Sequence, residues 1–255
     1  MPEKIVFFLS TSRTGTKSLA EGLMNEQTLS PHQPSFSRLL TIASNYHLHG
    51  WLTKRWLEWL VSHLREPQIL NADCQYYMQV FSLDYLPAKI ISEKYSSVYV
   101  IHIVRDPRTF VPSYLNWMHS RLKSYVANKI VFGWHPSGLF VGDIPWQTWR
   151  RMDEFQKVCW HWRFKNSLLE SLFENYRNYT RVKFEDLFSE KGEVVLRSLF
   201  SFAGISYQAK FSHILQQKKN LSSKKKFPQW DQLPKEKQRQ LLDICSEGIR
   251  KYCYL

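Results

Sequence analysis

The chain has 255 residues, enough for one α/β domain with a substantial core, and its 35 Lys and Arg against 22 Asp and Glu leave a net charge of +13. That charge favours anionic partners without choosing among nucleotide, sulfated glycan, nucleic acid and acidic membrane. No apolar run is long enough to span a membrane, and the four cysteines (Cys74, Cys159, Cys245, Cys253) lack the spacing of a zinc site or redox pair, so a reducing, cytoplasmic setting is expected.

Ile5–Leu9 reads as a short buried strand. Ser10-Thr-Ser-Arg-Thr-Gly-Thr-Lys-Ser18 follows, then a helical pattern of Leu19, Ala20, Leu23 and Met24. A hydroxyl-rich turn with one glycine and two cations at a helix N-terminus suits a phosphate. The first-turn N–H groups are unpaired and the helix dipole adds positive potential. Arg13, Thr14, Thr16, Lys17 and Ser18 can add donors, and Gly15 permits close backbone approach. The pattern is not G-x-x-x-x-G-K-[ST]: Lys17 stands two residues after Gly15, and no glycine precedes Gly15. No strand end offers a good magnesium-binding aspartate, so a nucleoside-triphosphate kinase fits poorly.

Residues 36–66 carry Leu39, Leu40, Ile42, Ala43, Trp51, Leu52, Trp56, Trp59 and Leu60 at helical spacing, read as core or pocket wall. Residues 76–96 are expected to hold a further helix leading into the strand Val98–Val104. That strand is nearly all apolar, as in a parallel sheet covered on both faces. Pro107 in Arg105-Asp-Pro-Arg108 ends it, and a helix follows with Phe110, Val111, Tyr114, Leu115 and Trp117. Ser113 lies eight residues after Arg105, so the two can converge on a second anion. Two anion sites at the carboxyl ends of two strands share one sheet edge, which implies a ligand with two separated phosphates. Residues 118–148 are irregular, punctuated by Gly133, Pro136, Gly138, Gly142 and Pro145, with Trp134, Trp146 and Trp149 in or beside them. A long helix is expected over 149–176, a strand over Arg181–Phe184, and helices over Val194–Phe202 and Lys235–Tyr252. Lys218, Lys219 and Lys224–Lys226 form a basic stretch. With no repeat and no linker, residues 1–255 are expected to form a single domain.

At these residues the chain resembles the sulfotransferases that use 3′-phosphoadenosine 5′-phosphosulfate (PAPS). Their 5′-phosphosulfate loop, [KR]-[ST]-G-T, is matched by Arg13-Thr14-Gly15-Thr16, and their 3′-phosphate element, strand-Arg-Asp-Pro-Arg-x4-Ser, by Arg105–Arg108 with Ser113. Arg181–Leu187 is similar to their strand ending in Tyr/Phe-Glu-Asp-Leu, and Tyr252-Cys-Tyr254 stands where relatives often have Tyr-Gly-Tyr. Lys17 departs from the Thr or Ser of many relatives, and Arg13 from the Lys of cytosolic small-molecule members.

The resemblance implies a three-layer α/β/α fold with a central parallel sheet, like that of the P-loop NTPases. It implies PAPS as co-substrate, no metal, and sulfuryl transfer to a hydroxyl or amine of a small-molecule or glycan acceptor. Arg13 and Lys17 would neutralise the phosphosulfate while Thr14, Gly15, Thr16 and Ser18 position it, and Arg105 with Ser113 would hold the 3′-phosphate. The family's late basic loop also clamps the nucleotide; Lys224 and Lys225 are candidates without a residue-level match. Relatives draw a general base from a loop near the donor. Some have His-Glu-Pro where this chain has His32-Gln33-Pro34, so His32 is one candidate and Asp73, in Asn71-Ala-Asp73, its rival; His102, mid-strand, reads as a core histidine. Glu185 and Asp186 read as structural. Residues 118–148 would form an acceptor-binding insertion, for which a carbohydrate or glycolipid is favoured and a small phenol or alcohol stays open. The rival classes are a catalytically silent nucleotide- or glycan-binding protein on the same fold, and a nucleic-acid binder, which lacks any recognised motif here.

Overall fold

The computed structural model describes residues 1–120, 135–207 and 227–254. Lys224 and Lys225, with the rest of their basic stretch, and residues 121–134 of the expected insertion lie outside the described residues.

Five strands form one all-parallel sheet: β1 (Lys4–Ser10), β2 (Thr28–Leu29), β3 (Tyr76–Val80), β4 (Val98–Val104) and β5 (Tyr179–Lys183), in the order β2-β3-β1-β4-β5. The helices, in chain order, are α1 (Thr16–Leu23), α2 (Ser37–Leu48), α3 (Lys54–Leu64), α4 (Glu66–Leu70), α5 (Tyr85–Lys94) and α6 (Pro107–Ser120). They continue with α7 (Trp146–Arg151), α8 (Glu154–Phe173), α9 (Phe184–Leu187), α10 (Gly192–Ala203) and α11 (Lys235–Lys251).

The pleat of β1 explains the layering. Alternate side chains point to opposite faces of a strand. Ile5, Phe7 and Leu9 therefore pack with Leu40 of α2, Val61 of α3, Ile91 of α5 and Leu169 of α8. Val6 and Phe8 pack on the other face with Leu19 and Leu23 of α1 and Leu199 and Phe200 of α10. The result is the expected three-layer α/β/α arrangement. A third cluster joins α6, α8 and α11 through Phe110, Trp162 and Cys245.

Several local expectations change. Residues 76–96 do hold a helix leading into β4, α5 from Tyr85, but Tyr76–Val80 ahead of it is an unexpected strand, β3, paired to β1 in the register Ile5↔Tyr77. Two tyrosines and a valine favour the pleated surface, and the open flank of β1 decides it. The 149–176 helix is two, α7 and α8, because Asp153 restarts the chain with a reciprocal capping box to Gln156. The 36–66 run breaks at Gly50, whose φ of 76° ends α2. Trp51, Trp56 and Trp59 are exposed rather than core; Leu57 and Val61 hold α3 down. Among the described residues no helix is long and apolar enough to cross a membrane.

Candidate active site

In the observed strand order the chain leaves β1 toward β2 and leaves β4 toward β5, on opposite sides. The carboxyl ends of β1 and β4 therefore flank a topological switch point, where open α/β sheets leave a crevice. The loop 11–15 and Arg105 stand on its two sides.

The loop is tightly wound. Ser12, Arg13 and Gly15 have φ of 83°, 56° and 68°, the left-handed region that two non-glycine residues occupy only at a cost. Such turns gather successive N–H groups into a concave nest for an anion. Internal bonds hold the winding: Thr14 Oγ1 donates to Ser10 Oγ at 2.7 Å, Ser12 N donates to the same oxygen at 3.2 Å, and Ser12 Oγ meets Ser82 Oγ at 3.0 Å. Thr14 is fully buried, so its hydroxyl braces the loop, in contrast to the donor role expected of it. Gly15 caps α1 with no side-chain bond, leaving the first-turn N–H groups unclaimed by any cap. Thr11 Oγ1, in the residue just before the wound segment, is buried with no hydrogen-bond partner.

Gly15 has a second constraint. A Cβ added there would lie 2.5 Å from Phe188 Cζ, just beyond α9. Gly15→Ala is expected to destabilise the fold by about 2–4 kcal/mol, combining left-handed strain with overpacking. Urea denaturation checks this, and Phe188→Leu should restore part of the loss; an undiminished midpoint in Gly15→Ala would refute the close approach.

The cations do not sit as separate anion holders. Arg13 Nε donates to Ser113 Oγ at 3.4 Å, so Ser113 meets the loop cation. Arg105 Nη1 donates to the carbonyl of Arg13 at 2.5 Å, and its Nε donates to Thr109 Oγ1 at 3.0 Å. Its guanidinium lies 4.6 Å from the centre of the Phe184 ring. Burial pulls the Arg105 pKa down to about 10, with Glu185 opposing and Arg13 adding to the fall, which still leaves a cation at neutral pH. The two expected anion sites are thus contiguous, and Thr109 joins them. Lys17 is more than half exposed and pairs with Glu21 one turn along α1 at 3.8 Å. Ser18 is buried at the start of the same helix.

A brace fixes the β4 end. Glu185 Oε1 accepts from Asp106 N and Glu185 Oε2 from the Tyr254 hydroxyl, both at 3.0 Å, and that hydroxyl also reaches the Val104 carbonyl at 3.0 Å. Arg108 Nη2 bonds Asp106 Oδ2 and the Tyr254 carbonyl, each at 2.6 Å. The structural reading of Glu185 holds through these bonds. Cys253 adopts φ of 54°, a left-handed position that favours glycine, as in Tyr-Gly-Tyr.

Of the two candidate bases, His32 reaches the site. Pro31 O accepts from Val80 N at 3.1 Å, which brings the segment to the carboxyl edge, and His32 Nε2 meets Thr16 Oγ1 at 3.1 Å. Burial lowers the His32 pKa and Lys17 lowers it further, against Glu21, so the imidazole is neutral at pH 7. Asp73 is corrected. It precedes β3, where Gln75 O accepts from Glu3 N at 2.8 Å, at the amino edge of the sheet. A strand's length, on the order of 20 Å, separates it from the loop. His102 is fully buried between Tyr179 OH and Asn166 Oδ1, both at 2.9 Å, as a core histidine should be.

The His32 segment is pinned from below by a fully buried ion pair, Arg65 Nη2 to Asp84 Oδ2 at 2.8 Å. Arg65 also donates to the Ser35 carbonyl at 3.1 Å and Ser37 Oγ at 2.8 Å, and Gln79 Nε2 donates to Asp84 at 2.5 Å. Burial pushes the Asp84 carboxyl up, against the pull of Arg65. Nothing in the local sequence distinguishes Arg65 from a surface cation of α3.

A further group beside Arg13 escaped the sequence reading. Tyr114, next to Ser113 on α6, joins His135, and His161 and Lys165 of α8 complete the cluster. Lys165 falls on the stripe Val158, Trp162, Leu169, Phe173 that α8 buries, and that placement was the available signal.

No protein-family model matches the chain, and no curated protein matches it in sequence. Solved structures do. The structure of mouse sulfotransferase SULT7A1 complexed with PAP aligns over 98% of this chain and 86% of its own, with TM-score 0.55 and 13% identity. The sulfotransferase domain from the curacin biosynthetic pathway aligns over 97% and 98%, with TM-score 0.52 and 13% identity. Sulfotransferase STF9 from Mycobacterium avium aligns over 98% and 77%, with TM-score 0.52 and 12% identity. Likeness at such identity speaks for architecture, and by it this chain has the sulfotransferase fold.

Proposed function

We propose that the protein transfers a sulfuryl group from PAPS to a hydroxyl or amine of an acceptor. The observation that carries the reading is the convergence of Arg13, Ser113 and Arg105 on one left-handed nest at the switch point. The residues fit the nucleotide: the nest and the orphaned Thr11 hydroxyl suit a 5′-phosphate, and Arg105, Thr109 and Ser113 suit a 3′-phosphate. The neighbour crystallised with PAP supports the same choice.

The donor supplies the sulfuryl group. In this chain the unclaimed N–H groups of α1 hold its anionic oxygens, and Arg13 offsets charge developing on the leaving phosphate. Lys17 adds a mobile cation at the same helix start. His32, neutral and bonded to Thr16, accepts the acceptor's proton at Nε2 once that bond is exchanged. The exposed rings of Trp51 and Phe140, 4.7 Å apart, offer stacking faces that suit a sugar, consistent with a carbohydrate or glycolipid acceptor.

The test is transfer of label from 35S-PAPS across a panel of sugars, glycolipids, phenols and amines. Transfer is expected. Tight binding of adenosine 3′,5′-bisphosphate with no transfer anywhere would favour the silent binder, and no binding would end the proposal. The acid limb of kcat/KM should have its midpoint below 6.5, because the His32 proton is lost more easily than usual. A pH profile that keeps this limb in His32→Gln would remove His32 from the mechanism.

A further inference from the structure

The buried face of α8 holds a lysine where an apolar residue is expected. Lys165 is 2% exposed. Among the described residues no hydrogen bond or ion pair reaches its ammonium, and its Nζ lies 5.9 Å from the centre of the Tyr85 ring. His161, one turn earlier, packs edge-on against His135 with ring centres 5.0 Å apart. His135 Nε2 meets the Tyr114 hydroxyl at 3.0 Å, and the Tyr114 and His161 rings are 5.6 Å apart. His161 Nε2 and His135 Nδ1 are buried without a hydrogen-bond partner.

Orphaned buried polar atoms are costly, and an unpaired buried ammonium more so. Two such nitrogens, His161 Nε2 and His135 Nδ1, beside an ammonium with no partner among the described residues make a donor set suited to an anion. The charges acting here have one sign. Lys165 acts on both histidines and Arg13 on Tyr114; among the described residues no carboxylate acts on any of the four groups. Burial alone brings the Lys165 pKa down to about 7. An anion placed against it would restore its proton.

We propose that Lys165, His161 and His135 anchor an acidic group of the acceptor, a carboxylate or a sulfate or phosphate ester, beside the site of sulfuryl transfer. The position follows from Tyr114, which borders the cluster and adjoins Ser113, the partner of Arg13. This deepens the sulfotransferase reading and rests on it for the identity of the ligand as acceptor. The acid selects the acceptor and sets its orientation, while Arg13 and His32 serve the reacting atoms.

The test pairs acids with neutral isosteres: glucuronate with glucose, and 4-hydroxybenzoate with 4-hydroxybenzyl alcohol, with inorganic sulfate as a separate arm. Calorimetry at pH 7.5 in two buffers of different ionisation enthalpy reads binding and proton uptake together. At least one acid is expected to bind at least tenfold more tightly than its isostere, with net proton uptake. Both effects should vanish in Lys165→Met, and Lys165→Arg should keep the binding. Affinity for adenosine 3′,5′-bisphosphate controls for folding of each variant. No preference for any acid in the wild type, or a preference untouched by Lys165→Met, overturns the proposal. Sulfate binding alone, insensitive to Lys165→Met, assigns the ion to the Arg13 nest and also overturns it. Acid binding that depends on Lys165, without bisphosphate binding, upholds the anion site and removes the sulfotransferase reading.

Discussion

Arg13→Ala is expected to lower turnover by about 10²–10³-fold, the scale for removing one preorganised donor from a developing charge. The side chain is held in a position that suits the proposed role. Its backbone sits at φ of 56°, its Nε is steered to Ser113, and its carbonyl is gripped by Arg105. Such positioning costs nothing further at the moment of reaction. If the residue acts, as proposed, on charge that appears in the transition state, kcat should fall while affinity for adenosine 3′,5′-bisphosphate changes far less. Arg13→Lys restores the charge without the planar fork and should recover part of kcat. Single-turnover rates with saturating PAPS measure the effect. Wild-type turnover in Arg13→Ala would remove Arg13 from the chemistry.

The second large effect is on binding. Arg105→Ala is expected to weaken bisphosphate binding by about ten- to a hundredfold, from the roughly 1.5–3 kcal/mol of a charged hydrogen bond. Loss of the Nη1 bond to Arg13 O adds to this by freeing a strained loop. The wild-type affinity should also fall as pH rises through about 10: the folded-state pKa of Arg105 is depressed, and only the protonated form binds the anion. Titration calorimetry across pH 7–11 reads both. Unaltered affinity in Arg105→Ala would detach the β4 end from the nucleotide.

How much of this was legible beforehand differs by element. β1 and β4 were clear because each is a continuous apolar run closed by its own punctuation. The loop 10–18 and Arg105 were clear because strand, turn and helix start are contiguous in the chain, so their chemistry needs no distant partner. β3 went unseen because Tyr76–Val80 is too short to carry a decisive period, and its fate depends on the open flank of β1. Arg65 and Lys165 look like any helix cation until their surroundings are known.

The sequence alone therefore determined the parallel α/β class, the loop after β1 with its glycine and cations, and the arginine at the end of β4. These are local facts, set by the order of residues within one strand-loop-helix unit. Tertiary structure alone decided which partner each group meets. It put His32 at the carboxyl edge and Asp73 at the amino edge, joined Arg13 to Ser113, and enclosed Lys165 with His135 and His161. Those outcomes turn on strand order, register and helix packing. Contacts between residues tens of positions apart set all three, and no short window of the chain encodes them.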